Sequence, residues 1–329
     1  MRSRSLGSLD VSLLGLGGNN FGFPRDGAPK VSAVVCDQDR TTLIVRSALD
    51  AGITFFDTAE EYGLGQSEEF IGRALGVRRD EVVIATKCNS PASPTEGTGA
   101  GADRIVRSVE GSLRRLNTDR IDLLQLHFPD PSTPIEETLE GFDRVVRAGK
   151  VIQIGCSNFS AGQLDDAAAS ASAAGYESFV SAQEQYNLLN RRVETSIVPT
   201  LRKHGMCLIP YWPLSGGLLS GKYRRGETPA KGSRMSAQPP EELGKILSDR
   251  RFDKVEALAA FAQDRGHTLL ELALSWLASQ DLVASIIVGA TTPEQIASNV
   301  SAMTWELTKD ELEDLDVLES QWGSGSVAK

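Results

Sequence analysis

The chain of 329 residues holds only four cysteines and three histidines, the residues from which disulfide and metal sites are made. Cys36, Cys88, Cys156 and Cys207 are scattered with no CxxC pair, so a structural zinc site is not expected. So few cysteines over such a length do not make a disulfide framework either, and buried free thiols are the expectation. No run approaches the ~20 apolar residues needed to cross a bilayer. The opening MRSRSLGSLDVSLLGLGG is broken by glycine, aspartate and serine before a signal-peptide apolar core can form. Basic charge is also short: 34 lysines and arginines against 44 aspartates and glutamates leave a net charge of −10. Such a surface repels nucleic acid and anionic lipid. These absences point to a cytoplasmic protein with no metal centre and with neither nucleic acid nor membrane as a partner. An anionic ligand would have to be held by a local cluster of basic groups and backbone amides.

What is present is a globular balance, 40% apolar and 24% charged, in a chain long enough for one large α/β barrel or two ordinary domains. Apolar strands alternate with helical stretches almost from end to end. The strands are expected at 11–17 (VSLLGLG), 53–56, 82–86, 121–126, 151–155, 179–182, 206–210 and 282–288. Helices are expected at 39–51, 67–75, 103–116, 134–149, 161–174, 192–203 and from Thr292, a capping residue, to about Ala302. A last amphipathic helix, 309–320, should pack outside the barrel. Segments 89–102 and 221–249 are irregular and rich in Gly, Pro, Ser and Arg, as binding loops are. Eight parallel βα units suit a closed (β/α)8 barrel better than an open sheet, and no linker divides residues 1–329, so one domain is expected.

Four ionisable groups fall at the C-terminal ends of three successive strands, the face where such barrels build active sites. Asp57 and Tyr62 lie in FFDTAEEYG after strand two, Lys87 ends VVIATK after strand three, and His127 follows strand four in LLQLHFPDP. Singly, each has a plain structural reading: a helix cap, a loop aromatic, a solvated amine, a satisfied core histidine. Together they make one acid. A carbonyl that receives hydride becomes an alkoxide and needs a proton, while a free tyrosine has a pKa of about 10. An ammonium at Lys87 would favour the tyrosinate and lower that pKa, Asp57 would hold Lys87, and His127 could donate a hydrogen bond to the substrate oxygen. Three other patterns carry less. GLGGNNFG is not spaced as GxGxxG, GCSNFS is not the GxSxG elbow, and Glu60 and Glu61 read as a solvated loop pair rather than glycosidase carboxylates.

DTAEEYGLGQSEEFIGRAL, the strand-end Lys87, IDLLQLHFPDPSTPIEETL and GKVIQIGCSNFS resemble, in order and spacing, the signatures of the aldo-keto reductases. QEQYNLLNR, YWPLSGGLLSGKY and VGATTPEQIASNV extend the likeness over about 13–300. The resemblance implies a (β/α)8 TIM barrel with an N-terminal β-hairpin and an extra C-terminal helix. It also implies NADP(H), rather than NAD, bound in extended form without a Rossmann domain, and reduction of an aldehyde or ketone. The catalytic tetrad falls on Asp57, Tyr62, Lys87 and His127. Ser157 and Asn158, helped by Gln183, match the groups that hold the nicotinamide carboxamide, and Tyr211 matches the aromatic under its ring. Pro213, Leu214 and Gly216 match the pyrophosphate segment, Lys222 and Arg234 the basic loop over the phosphates. Gly289, Thr291, Gln295 and Asn299 match the adenosine segment, and Gly18 and Asn19 the contacts to the nicotinamide ribose.

Two departures stand out. Many relatives carry Arg or Lys at the position of Thr291, so the grip on a 2′-phosphate would pass to Lys222, Arg234, the Thr291 hydroxyl and helix N–H groups. Phe128 follows His127 where a Trp is common, a change of substrate fit. The pocket walls are expected from 20–30, 89–102, Phe128, Trp212 and the last residues. Phe21, Phe23, Phe128 and Trp212 suggest an apolar mouth for medium-sized carbonyls. The rival reading is a regulatory module of the channel β-subunit type, which the sequence also resembles. A lyase or isomerase on the same barrel lacks its phosphate loop and metal ligands here.

Overall fold

Eight parallel strands lie side by side and curl into a barrel, in a computed structural model that describes residues 1–23, 35–90 and 99–322. A two-stranded antiparallel hairpin, β1 (Ser3–Leu6) and β2 (Leu9–Ser12), comes first. The barrel strands are β3 (Leu14–Gly17), β4 (Phe55–Asp57), β5 (Val83–Cys88), β6 (Ile121–Leu126), β7 (Val151–Ser157), β8 (Ser181–Gln185), β9 (Cys207–Tyr211) and β10 (Ile286–Gly289). From β3 to β9 each pairs with the next in sequence, and β10 pairs with β3. Between β9 and the run into β10 closure is lighter: a parallel bridge of Leu208 with Val283, the Leu208 amide donating to Leu282 at 2.7 Å.

The helices α1 (Gln38–Asp50), α2 (Gln66–Leu75), α3 (Ala102–Leu116), α4 (Ile135–Arg147), α5 (Ala161–Ala174) and α6 (Val193–His204) alternate with the strands outside the barrel. Then come α7 (Pro240–Ile246), α8 (Asp249–Gln263), α9 (Leu269–Ser279), α10 (Pro293–Ser301) and the terminal α11 (Lys309–Ser320). Their ends carry the expected chemistry. Ser160, Thr268 and Thr308 each begin a helix with a reciprocal capping box. Two helices approach so closely that only glycine fits: a Cβ on Gly72 would sit 2.3 Å from the Leu116 carbonyl oxygen.

Successive strand residues point to opposite faces. That period divides the apolar residues in two. One set packs between barrel and helices; the other fills the barrel, where Phe55, Ala85, Leu123 and Ile209 meet Leu6 and Val11 of the hairpin. The hairpin therefore plugs one end of the barrel. Two positions further along the same strands the inward side chains become polar: Asp57, Lys87, Gln125 and Tyr211. The other end is thus the open one, and the site lies there.

The structure corrects several boundaries. The apolar run 11–17 is two elements, the end of β2 and all of β3. Strand six lies later than 179–182, at Ser181–Gln185, and strand eight shortens to Ile286–Gly289. The segment 221–249 contains α7, and α8 and α9 follow it unanticipated. Cys36, Cys88 and Cys156 are buried free thiols, whereas Cys207 is only half-buried. Of the expected pocket walls, residues 24–30, 91–98 and 323–329 lie outside the described residues. No helix among the described residues is long and apolar enough to cross a membrane.

Candidate active site

Lys87 has no exposed surface. A buried ammonium needs compensation on every side, and its Nζ finds it: both Asp57 carboxylate oxygens at 2.7 Å, the Thr58 carbonyl at 2.9 Å and the Tyr62 hydroxyl at 3.5 Å. The ammonium also lies 5.1 Å from the Tyr62 ring centroid. Asp57 takes further hydrogen bonds from the amides of Gln183 at 2.7 Å and Gln125 at 3.4 Å. The His127 ring meets Tyr62 edge-on with centroids 5.8 Å apart and stacks on Phe128 at 4.8 Å. The four strand-end residues are thus one cluster.

The electrostatics of Tyr62 differ from the expectation. Burial, and after it the Asp57 and Glu61 carboxylates, raise its pKa well above the usual tyrosine value. The charge of Lys87 is neutralised by its bidentate pairing with Asp57, so the phenol stays protonated at neutral pH. Burial, seconded by Lys87, holds the His127 imidazole well below the usual histidine range, so the ring is neutral.

From this cluster a cavity of about 530 Å³ runs along the strand ends. Asp57, Tyr62 and His127 line it. Ser157, Asn158 and Gln183 also line it and are tied together: the Ser157 hydroxyl donates to the Gln183 carbonyl at 2.8 Å, and the Asn158 amide to the Ser157 hydroxyl and the His127 carbonyl, both at 3.0 Å. Tyr211, its phenol pushed up to about 12 by burial, donates to the Asn158 side-chain oxygen at 2.9 Å. Asn19, Pro213, Leu214, Gly216, Lys222, Arg234, Gly289, Thr291, Gln295 and Asn299 all line the same cavity.

Of the nineteen sequence-derived candidates, only Lys87 and Gly18 do not reach the cavity wall. Lys87 lies behind Tyr62. Gly18 is a packing residue, its amide donating to the Asp57 carbonyl at 2.7 Å, with the Ser67 hydroxyl 2.7 Å from where a Cβ would stand. Its neighbours Gly17 and Asn20 face the cavity instead.

Sequence reasoning missed or misread four acidic or polar residues. Glu60 is not a solvated loop residue: it has no exposed surface and binds Arg104 at 2.6 Å, the Asn89 amide at 3.1 Å and the Ser108 hydroxyl. Glu61 lines the cavity, with Oε1 3.5 Å from His127 Nδ1 and Oε2 accepting from the Ser90 hydroxyl. Glu184, nearly buried, accepts from the Phe159 amide at 3.0 Å, and burial pushes its carboxyl up to about 7. Ser298 joins Asn299 on the wall. A polar residue with no apolar partners nearby in sequence gives little sign that it is enclosed by residues tens of positions away.

Comparison with known proteins agrees with this architecture. A model of the Aldo/keto reductase family matches residues 13–320. The chain is 34% identical to an uncharacterized oxidoreductase of Bacillus subtilis, covering 94% of this chain and 92% of the relative. It is 34% identical to L-glyceraldehyde 3-phosphate reductase of Escherichia coli, over 79% of this chain and 78% of that one. It is also 35% identical to a probable voltage-gated potassium channel subunit beta of Oryza sativa, over 81% and 83%. The solved structure of a glycerol dehydrogenase from Gluconobacter oxydans superposes with a TM-score of 0.79 at 28% identity, covering 99% of this chain and 97% of that one. With its eight-stranded barrel, its strand-end cluster and oxidoreductases among its relatives, the chain belongs to the aldo/keto reductase family.

Proposed function

We propose that this protein is an NADPH-dependent carbonyl reductase in which Tyr62 gives the proton to an aldehyde or ketone oxygen. The observation that carries the reading is the Tyr62 hydroxyl on the cavity wall, protonated by burial and 3.5 Å from a fully enclosed ammonium. A phenol so placed keeps its proton until alkoxide charge develops on a neighbouring oxygen, which is the stronger base and takes it, and the enclosed Lys87–Asp57 pair fixes the phenol in place. Asp57 keeps Lys87 charged and aimed. His127, neutral, offers a ring N–H to the carbonyl oxygen and orients it.

The remainder of the cavity fits an extended dinucleotide. Gly216 and Gly217 have positive φ, and a Cβ on either would fall 2.4 Å from the Met235 Cε or 2.7 Å from the Lys222 Cε, so a bare backbone cradle is preserved there. Arg234 is largely enclosed, yet among the described residues its one hydrogen bond is to the Asn20 side chain at 3.3 Å. A guanidinium with that much unused donor capacity suits a phosphate. Lys222 and the N-terminus of α10, where Gln295 accepts from the Thr291 amide at 2.7 Å, complete a basic, amide-rich end. Ser157, Asn158 and Gln183 would hold the nicotinamide end, and NADPH supplies the hydride when bound. The test is loss of NADPH absorbance with a panel of aldehydes, ketones and sugars.

The likeness to channel β-subunits favours a second reading, a cofactor-binding regulatory module. Tight NADPH binding with no turnover across the panel would favour that module over the reductase.

A further inference from the structure

Glu61 stands one residue before Tyr62, and its side chain is 18% exposed on the cavity wall. Its Oε2 is occupied by the Ser90 hydroxyl; its Oε1 faces His127 Nδ1 at 3.5 Å. That nitrogen is buried and, among the described residues, has no hydrogen-bond partner. The separation is a polar contact rather than a hydrogen bond, and catalytic contacts of this kind commonly tighten when a ligand fills the site. Nδ1 thus faces a carboxyl, which leaves Nε2 as the ring nitrogen for the cavity.

The surroundings decide the charge of this pair. Lys87, paired with Asp57, lies near both groups and acts on each less than burial does, lowering the Glu61 carboxyl and the His127 imidazole. Glu60 is paired with Arg104, and the phenols of Tyr62 and Tyr211 are protonated. Burial raises the Glu61 carboxyl and lowers the His127 imidazole, so a bare carboxylate beside a bare Nδ1 is disfavoured.

We infer that Glu61 and His127 share one proton, and that this proton keeps a hydrogen on the cavity-facing Nε2, making Glu61 a positioning residue for the carbonyl oxygen. With the proton on the carboxyl, Glu61 donates to Nδ1 and the neutral ring carries its hydrogen on Nε2. With the proton on the ring, both nitrogens carry hydrogen. Either arrangement gives Nε2 a hydrogen to donate. Only loss of the shared proton to solvent moves the one remaining ring hydrogen to Nδ1, where it is donated to the carboxylate. Nε2 is then a bare acceptor, able to take an alcohol O–H but not to hold a carbonyl. Reduction therefore needs the protonated pair, and alcohol oxidation favours the deprotonated one. The titration belongs to the pair rather than to either residue. This inference rests on the carbonyl reductase reading for its consequence, not for its geometry.

Two measurements test it. The first is kcat/KM for NADPH-dependent reduction of benzaldehyde from about pH 6 to about pH 10, in wild type, Glu61→Gln and Glu61→Leu. A glutamine amide donates to Nδ1 at every pH and so holds hydrogen on Nε2. The wild type is expected to lose about tenfold per pH unit above the pair's pKa, Glu61→Gln to lack that limb, and Glu61→Leu to lie at least about tenfold below Glu61→Gln. The second is ¹⁵N NMR of the histidine rings without substrate, the His127 signals being those absent from His127→Gln. They should pass from the Nε2–H to the Nδ1–H form over the same range in wild type and stay Nε2–H in Glu61→Gln. A limb that persists in Glu61→Gln, or a wild-type ring that stays Nε2–H throughout, overturns the shared proton. A tautomer switch without turnover of any carbonyl upholds the pair and overturns the reductase reading instead.

Discussion

Replacing Lys87 by methionine keeps the length and apolar stem of the side chain and removes only the charge and its donors. The ammonium is fully enclosed and holds both Asp57 oxygens at 2.7 Å, so its loss strands a carboxylate whose side chain is 4% exposed. Removing one partner of a buried ion pair costs about 3–5 kcal/mol. Asp57 would retain the Gln183 amide at 2.7 Å and the weaker Gln125 contact at 3.4 Å, which places the cost at the lower end, about 3 kcal/mol. At about 2.1 cal/mol/K of unfolding entropy per residue, a chain of this length carries roughly 0.7 kcal/mol/K, so the melting temperature should fall by about 4–5 °C. The deficit comes from the stranded charge, so adding Asp57→Asn should recover at least half of it. Urea denaturation of the wild type, both single variants and the double variant measures the coupling. If Lys87→Met lies within about 1 kcal/mol of wild type, or the double variant loses the full sum of the singles, the pair is not the buried strut described above.

Three further outcomes follow. NADPH should bind at least about tenfold more tightly than NADH, roughly 1.4 kcal/mol, and Arg234→Ala should narrow the gap; fluorescence titration reads both, and equal dissociation constants in wild type would count against the phosphate role. Glu184, nearly enclosed and raised to about 7, contributes stability that is complete below the unfolded glutamate value and is lost as pH rises through about 7. Glu184→Gln should therefore gain on the wild type between pH 5 and pH 8 by about 2–3 kcal/mol in urea melts. Gly72→Ala should destabilise by about 1–3 kcal/mol because its Cβ would meet backbone rather than a movable side chain; a silent substitution would mean that α2 and α3 can separate freely.

Much of the barrel was legible because strands buried against helices read as short apolar runs and because polar residues stand at or beside several strand ends. Asp57, Lys87 and His127 stand out for that reason. Helix α8 shows a helical stripe at Phe252, Val255, Leu258 and Phe261, but α9 was not legible. Leu269–Ser279 buries eight of its residues, so its sequence LLELALSWLAS shows no polar face to reveal a helical period. The join of β2 and β3 was hidden similarly: Val11, Leu13, Leu14 and Leu16 are all buried, and a run without alternation cannot show where one strand stops. Glu60 was misread because its partners Arg104 and Ser108 lie 44 and 48 residues away. A carboxylate beside another carboxylate gives no local sign of such a pocket. Gly18 does not line the cavity although Gly17, Asn19 and Asn20 do, a distinction that nothing in GLGGNN shows.

The central claim is that Tyr62 is the proton donor, and Tyr62→Phe tests it most directly by removing one hydroxyl. Stopped-flow reduction of a carbonyl substrate should show the hydride-transfer step slowed by about 10²–10⁴-fold. The NADPH dissociation constant, titrated in the same samples, should stay near that of the wild type. A Tyr62→Phe enzyme that keeps most of its turnover would contradict the account, because the phenol would then be a packing residue and the acid would lie elsewhere.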